Sequence, residues 1–364
     1  MKVFWLFAHP APYKVKFFNQ LGLKVDLTVA FERSNESDRN KLFYGEGTKN
    51  FKAIILKSIH FGHSNNYAFG VLNPLRKERF DIVVINGWSS FTEMKVIRYL
   101  KRHKIPYIFA INGGFAREKE NFFIKHLKQK YIPGATLFLA PENNSKKYLS
   151  FYGADTEKIK LYSYSSIGKE SVLSSPLSEQ EKVLLRKGLG LPEGRLFVSV
   201  GSFIKRKNEM MLLRIWKSQP KENILLLIGD GPLEDKYKSF IRDNQLTNVQ
   251  IVKYQKHETV LKYFRIADAS IFITNEDIYG HVVNESLSQG TPVIGSIKSN
   301  AVNHLLQEGI NGYLVDPQDK NAIEKALLSP FTAEMREAAL KTASKNTFEI
   351  MVEEHLEVFE EMAK

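Results

Sequence analysis

The feature that most constrains this chain is a rhythm. Short, continuous apolar runs recur along its length, separated by stretches with helical periodicity. In the first half VFWLF (3–7), VDLTVA (25–30), DIVVING (81–87) and PYIFAING (106–113) are such runs, β-branched or aromatic and ending near Gly, Asn or Pro. Between two of them, FTEMKVIRYLKRHK (91–104) sets Met94, Ile97 and Leu100 on one stripe and Lys95, Arg98, Lys101 and Arg102 on the rest, the pattern of an amphipathic helix. Strands that alternate with helices imply a parallel sheet covered by helices. The rhythm pauses over the Ser-rich SYSSIGKESVLSSPLSEQE (163–181), which reads as an interdomain connection. It restarts with RLFVSVG (195–201), NILLLIGDG (223–231), VQIVKY (249–254), ASIFIT (269–274) and TPVIGS (291–296), with ETVLKYFRIAD (258–268) as one of the helices between. FEIMVEEHLEVFEEMAK (348–364) reads as a helix with its apolar stripe at Ile350, Met351, His355–Leu356 and Phe359.

The expectation is an α/β protein of two Rossmann-like domains, 1–170 and 171–345, facing across a cleft, with a terminal helix, 346–364, packing back on the first. Ligands of such sheets sit beyond the carboxyl ends of the strands. The length of 364 residues suits two cores of ordinary size. With no cysteine, disulfides and thiolate metal sites are excluded. The opening MKVFWLFAHP is too short for a signal peptide, and no apolar run approaches the roughly 20 residues of a membrane span. A cytoplasmic protein, free or peripheral on the inner face of the cell membrane, is expected.

Net charge is +12, and it is lopsided: residues 1–170 hold 28 Lys/Arg against 14 Asp/Glu, the rest 24 against 26. A field of that kind in the first half points to an anionic partner such as a membrane surface or a phosphorylated acceptor, or serves solubility alone. No recognisable nucleic-acid-binding motif accompanies it.

Two segments carry chemistry. In NEDIYGHVVNESLSQGTPVIG (275–295) an acidic loop leads through Gly280 into a helix. Gly280 lets backbone pass close to a ligand, and the amides of His281 and Val282 at the positive end of the helix suit a phosphate. Asp277 and Glu285 beside them suit sugar or ribose hydroxyls; a helix cap and a solvated helix face are the plainer readings. In VGSFIKRKNEMMLL (200–213) a strand ends at Gly201 and a loop brings Lys205, Arg206 and Lys207 to the sheet edge, as a diphosphate requires, although a solvated basic turn has the same composition. LLLIGDGPLED has Glu234 where a dinucleotide fingerprint has its third glycine, so it reads as a tight turn.

The order VG with Lys207–Asn208, GDGP, a helix ending in Ala-Asp, Asp277 with Glu285 seven intervening residues later, then G-TPVI, resembles glycosyltransferase family four, of the GT-B fold. It runs over roughly residues 183–360. The N-terminal half, with PAPYKVKFFNQL (10–21) and YIPGATLFLAPENNSKKYLSFYG (131–153), is similar to bacterial capsule and exopolysaccharide transferases. The resemblance implies sugar transfer from a nucleotide sugar, UDP-linked, usually with retention, and with no cofactor or metal. It implies that Lys207 binds the donor diphosphate with Arg206 beside it, that Asp277 contacts the donor sugar, that Glu285 holds the ribose, and that Gly280, His281 and Val282 present amides; Lys207 and Asp277 are the residues nearest the chemistry. Ser202 and Tyr254 complete the donor-binding set. Ser202 stands where the family commonly has Arg, the first strand's loop reads HPAPYK in place of paired glycines, and Asn112–Gly113–Gly114 stands where a cleft histidine is common. His9, Asn112 and Gly113 are therefore the acceptor-side candidates, His9 being equally readable as structural. These departures also suit a non-catalytic partner or chaperone of a transferase, or a related enzyme such as a nucleotide-sugar epimerase.

The acceptor expected is a glycan or a lipid-linked sugar. KENFFIKHLKQKY (119–131) holds Lys119, Lys125, Lys128 and Lys130 around Phe122, Phe123 and Leu127, the mixture of a peripheral membrane helix, or else a core helix with solvated lysines.

Overall fold

The structure, a computed structural model, describes residues 1–35, 44, 46–61 and 65–364. It has two compact units: unit 1 comprises Met1–Ser165 with Phe348–Lys364, and unit 2 comprises Ser166–Thr347. The chain therefore crosses after 165 and again after 347, where composition suggested 170 and 345. The first difference has a local cause: residues 166–173 bond to unit 2, with Leu173 N donating to Ser288 O at 3.0 Å and Gln289 Nε2 to Ser171 O at 2.7 Å.

Unit 1 holds strands β1 (Lys2–Phe7), β2 (Asp26–Phe31), β3 (Lys52–Ile55), β4 (Ser58–Phe61), β5 (Asn65–Ala68), β6 (Ile82–Asn86), β7 (Ile108–Ala110), β8 (Leu137–Ala140) and β9 (Ile159–Leu161). Seven of them form a parallel sheet in the order β3-β2-β1-β6-β7-β8-β9; β4 and β5 pair antiparallel beside it. The order reverses between β1 and β6. On one face Phe4, Leu6, Val83 and Ile85 pack with Val96, Ile97 and Leu100 of the helix Phe91–Arg102. That helix starts at a capping box, Ser90 with Glu93, and stops two residues short of the expected 104, where Lys104 takes φ 54°. Trp5 lies among Phe17, Phe18, His355 and Phe359, so the helix Phe348–Ala363 closes this side of unit 1. His355 is fully buried there, and burial pushes its imidazole down to about 3.

Unit 2 holds β10 (Arg195–Val200), β11 (Asn223–Ile228), β12 (Val249–Val252), β13 (Ala269–Phe272), β14 (Val293–Ser296) and β15 (Gly312–Val315), all parallel, in the order β12-β11-β10-β13-β14-β15. Counted within the unit this is 3-2-1-4-5-6, with its switch point between β10 and β13, the place where doubly wound sheets bind ligands. β10 pairs with β11 from Arg195–Asn223 to Val200–Ile228, and with β13 at Phe197–Ala269. Every residue of β11 is buried, as continuous apolar runs demand of a central strand. The expected strands are present, mostly one to three residues shorter. β3, β4, β5, β8, β9 and β15 are additional; several are short and half-exposed, and such runs carry little periodic signal. The Ser-rich connection also contains more order than expected, because Ser178 and Glu181 form a capping box that starts a helix at Glu179.

Candidate functional site

The loop after β10 turns under two glycines of another loop. Gly229 (φ 154°) is so close that a Cβ there would lie 1.9 Å from Gly201 O, and one on Gly231 (φ 146°) would meet Phe203 backbone at 2.8 Å. Phe203 N donates to Asp230 O at 2.6 Å, and Leu233 N returns a bond to Phe203 O at 3.0 Å. The GDG segment is thus a clamp on the 201–203 loop; Ser202 lies in that loop, half-buried. A single 3-10 turn, Lys205–Lys207, follows, and Asn208 ends it in the left-handed region at φ 68°. Its side-chain amide donates to Ile273 O at 3.2 Å and Pro317 O at 3.0 Å, which pins the turn against the end of β13.

This brings Lys207 and Arg206 onto Asp277, 70 and 71 residues away in sequence. Lys207 Nζ is 2.7 Å and Arg206 NH1 3.1 Å from Asp277 Oδ2, and Arg206 NH1 also donates to Glu276 O at 2.7 Å. The Asp277 side chain is 13% exposed. Burial opposes its charge, but Lys207 first and then Arg206 outweigh that and hold the carboxyl below its ordinary range. Lys207 Nζ is 4.6 Å from the ring centroid of Phe272. Gly280 (φ 105°) presses on that same ring, where a Cβ would sit 2.7 Å from Phe272 Cε1. Asp277, Lys207, Arg206 and Gly280 therefore form one cluster at the switch point of unit 2. Two cations converge on one carboxylate oxygen there, so an arriving diphosphate would find positive charge already oriented.

Glu285 lies on the next helix, Val282–Leu287, which has His281 as its N-cap and no side-chain capping bond. Its carboxylate is not a solvated helix face: Oε1 accepts from Ser166 Oγ at 2.8 Å and is 3.5 Å from His257 Nε2, and the side chain is 14% exposed. Burial works against its charge; His257 is the main opposing influence, so the carboxyl stays below the usual range. Tyr254 is half-buried on the loop that leads to His257. Neither His257 nor Ser166 is marked by a motif, and only the fold makes them neighbours of Glu285.

The acceptor-side candidates belong to unit 1. His9 follows β1, with Nδ1 3.2 Å from Tyr44 OH. Asn112 and Gly113 follow β7, two strand positions along the sheet; Asn112 Oδ1 is buried without a hydrogen-bond partner among the described residues, and Gly113 has φ 139°. The helix Phe122–Tyr131 starts at Asn121, whose side chain caps it. Phe122 and Phe123 are each 75% exposed and Ile124 is exposed, whereas Leu127 packs on the core. Lys128 departs from expectation. It is buried, paired with Glu120, 3.1 Å from Tyr152 OH and within 6 Å of three aromatic rings, so it belongs to the interior and not to the basic face.

Comparison with known proteins bears on the fold and on the C-terminal half of the chain. The family described as "Glycosyl transferases group 1" matches residues 182–347, which contain every candidate of the donor side. The lipopolysaccharide core biosynthesis glycosyltransferase LpsE of Rhizobium meliloti is 27% identical over 131 residues, covering 36% of this chain and 37% of LpsE. An uncharacterized glycosyltransferase of Methanocaldococcus jannaschii is 20% identical over 292 residues, covering 76% and 73%. The chain thus spans little more than a third of the first curated relatives it matches. Among solved structures, HepE of Anabaena in complex with UDP and glucose superposes with a TM-score of 0.74 at 15% identity, over 99% of this chain and 100% of that one. Residues 182–347 are thus similar to the glycosyl transferases group 1, and the two parallel α/β units carry the GT-B fold.

Proposed function

We propose that this chain is a retaining, nucleotide-sugar-dependent glycosyltransferase that moves a hexosyl or N-acetylhexosaminyl group from a UDP-linked donor to a glycan or lipid-linked acceptor in surface polysaccharide synthesis. The observation that carries the reading is the convergence of Lys207 and Arg206 on Asp277 at the switch point of unit 2. When the donor binds, its diphosphate takes over the two cations, and Asp277 is released toward the hydroxyls of the donor sugar. As the sugar–phosphate bond breaks, Lys207 and Arg206 meet the charge that grows on the leaving diphosphate, the role a metal ion plays in other transferases, so no metal is invoked. Glu285 accepts hydrogen bonds from the ribose, oriented from behind by His257 and Ser166. The names of the relatives, one acting in lipopolysaccharide core biosynthesis and one crystallised with UDP and glucose, support this class of donor and product.

A panel of nucleotide sugars, assayed for binding and for slow donor hydrolysis, tests the donor side. At least one UDP sugar should bind and be cleaved, and Lys207→Ala should raise its KM or lower turnover, with Arg206→Ala in addition worse than either alone. Unchanged kinetics in Lys207→Ala would remove the phosphate site.

The acceptor is met at an anionic membrane surface. Phe122, Phe123 and Ile124 would enter the interface, with Lys119, Lys125 and Lys130 toward lipid phosphates. Vesicle sedimentation should need anionic lipid, weaken with salt, and fail when Phe122 and Phe123 become Ser or Lys125 and Lys130 become Glu. Indifference to anionic vesicles at low salt would make a soluble acceptor the better reading.

A further inference from the structure

Two neighbouring strands of unit 1 end alike. β6 runs into Ile85–Asn86–Gly87 and β7 into Ile111–Asn112–Gly113, and the strands pair in parallel with Asn86 opposite Ala110. Asn112 lies two residues further on. On an extended path that places it about 7 Å along the strand direction and one strand spacing, about 5 Å, across from Asn86. Both glycines take positive φ, 112° and 139°. Asn86 is 8% exposed, and Asn86 Oδ1 and Asn112 Oδ1 are each buried without a hydrogen-bond partner among the described residues. Buried amides are nearly always paired, so two at matching positions of one sheet edge call for an explanation. That edge is the carboxyl end of the strands, beside the reversal of order between β1 and β6, where sheets of this kind hold ligands.

Both loops are held rigid. Tyr148, on the helix Asn143–Phe151, accepts a hydrogen bond from Trp88 Nε1 at 3.1 Å. Its ring packs on the other loop, where a Cβ on Gly114 would lie 2.8 Å from Tyr148 Cγ. A Cβ on Gly87 would lie 2.7 Å from Glu93 Oε1, and Tyr162 OH donates to Ile111 O at 2.9 Å. Trp88, two residues after Asn86, is half-buried, so part of its indole is open to solvent.

We infer that Asn86, Asn112 and Trp88 form a sugar-binding site, and that its occupant is the terminal sugar of the acceptor. A hydroxyl group both donates and accepts, and so does a primary amide, so two fixed amides suit a ring that carries several hydroxyls. The indole beside them suits the apolar C–H face of the same ring, its own N–H being already bonded to Tyr148. A phosphate or carboxylate fits poorly, because the unpaired buried atoms are hydrogen-bond acceptors and the Glu93 carboxyl lies against Gly87. A water bound to each amide would make the asparagines structural, and the two roles predict opposite effects on stability. The site rests on unit 1 alone; only the name acceptor for its sugar rests on the transferase reading.

Trp5 and Trp216 are each 1% exposed, so a ligand at this edge is reported by the emission of Trp88. The full chain, without nucleotide, is titrated with glucose, galactose, mannose and N-acetylglucosamine at millimolar concentrations, with glycerol as the control. At least one sugar should change the emission saturably and glycerol should not; Trp88→Phe should remove the signal, which identifies the reporter. Asn86→Leu and Asn112→Leu should each raise that sugar's dissociation constant about tenfold or more, as when a hydrogen bond to a ligand is lost. Each also removes an unpaired buried polar atom, so neither should lower the melting temperature. Thermal melts confirm folding, and Asn86→Ala and Asn112→Ala give the same affinity test without added bulk. Bare UDP should bind these variants as it binds the wild type. No response to any sugar, a loss of stability in Asn86→Leu with sugar binding intact, or a response to nucleotide sugars alone, which would assign the amides to the donor, would each overturn the proposal. Sugar binding without nucleotide binding would keep this site and sink the transferase reading, and nucleotide binding without a sugar response would do the reverse.

Discussion

Behind Lys207 and Arg206 lies a carboxyl that no motif marks. Glu209 is buried beside Lys207, Tyr237 OH lies 3.3 Å from its Oε2, and burial pushes it up to about 7 despite the pull of Lys207 and Arg206. It is neutral below that value and charged above it. Charged, it would draw on the same cations as the diphosphate. Donor affinity should therefore fall as pH rises through 7 and flatten in Glu209→Gln, which calorimetry with a nucleotide sugar across pH 6–8 can measure. Glu285→Gln should weaken the bare nucleotide as well as the donor, by about 10- to 100-fold if one charge-assisted hydrogen bond is lost. Asp277→Ala should instead lower turnover much more than nucleotide affinity; an equal loss of both would make its role one of shaping the loop. At this scale the sequence showed which residue types gather but not how they are paired. Asp277 and Glu285 were visible from their spacing and the resemblance. The Lys207–Asp277 bond, the His257 and Ser166 contacts to Glu285 and the burial of Glu209 all depend on chain segments brought together from 28 to 119 residues apart.

Elements show the same division. Continuous apolar runs such as LLLI, short and bounded by Asn223 and Gly229, were legible as central strands from their length and flanks. Helix faces were legible only where burial follows hydrophobicity, as for Met94, Ile97 and Leu100. It failed for Lys128, which is held by Glu120 and Tyr152, and for Lys182 and Arg186, which are held by Asp268; each needs a partner that periodicity cannot see. The GDG turn reads as a tight turn, yet its work is to carry a neighbouring loop. Gly229→Ala would drive a methyl into Gly201 O and also strain a backbone at φ 154°. The expected cost is about 1–3 kcal/mol of stability, as for other overpacked sites, with nucleotide affinity falling in parallel because Lys207 is displaced. Intact affinity in a folded Gly229→Ala would show that the clamp and the phosphate site are independent.

At the scale of the whole molecule, charge must be counted by unit and not by half. The terminal helix brings six Glu into unit 1, which then holds 28 Lys/Arg against 19 Asp/Glu, a smaller excess than residues 1–170 show alone. Unit 1 also holds Glu93 fully buried near Glu32, its carboxyl pushed up to about 8, first by burial and then by Glu32. A raised carboxyl favours folding while protonated. Its contribution is full below about 4.5 and is lost as pH rises through 8, so Glu93→Gln should flatten the alkaline limb of unit 1 stability in chemical denaturation. Removing residues 348–364 takes Met351, His355 and Phe359 from the surroundings of Trp5 and Phe17. Loss of several such side chains exceeds the roughly 5–15 kcal/mol that stabilises a domain. The truncated chain should lose the unit 1 melting transition and keep that of unit 2.

The discontinuity of unit 1 also sets an order of events on the ribosome. Unit 2 is one unbroken stretch, Ser166–Thr347, and can close as soon as it has emerged. The segment that began first must wait. At about 5–20 residues per second, the nascent chain spends on the order of 20–70 s between exposing Trp5, Phe17 and Phe18 and supplying the helix that covers them. Through that interval the aromatic flank of the first sheet is open to chaperones or to other nascent chains, and the domain synthesised first is the last to be finished.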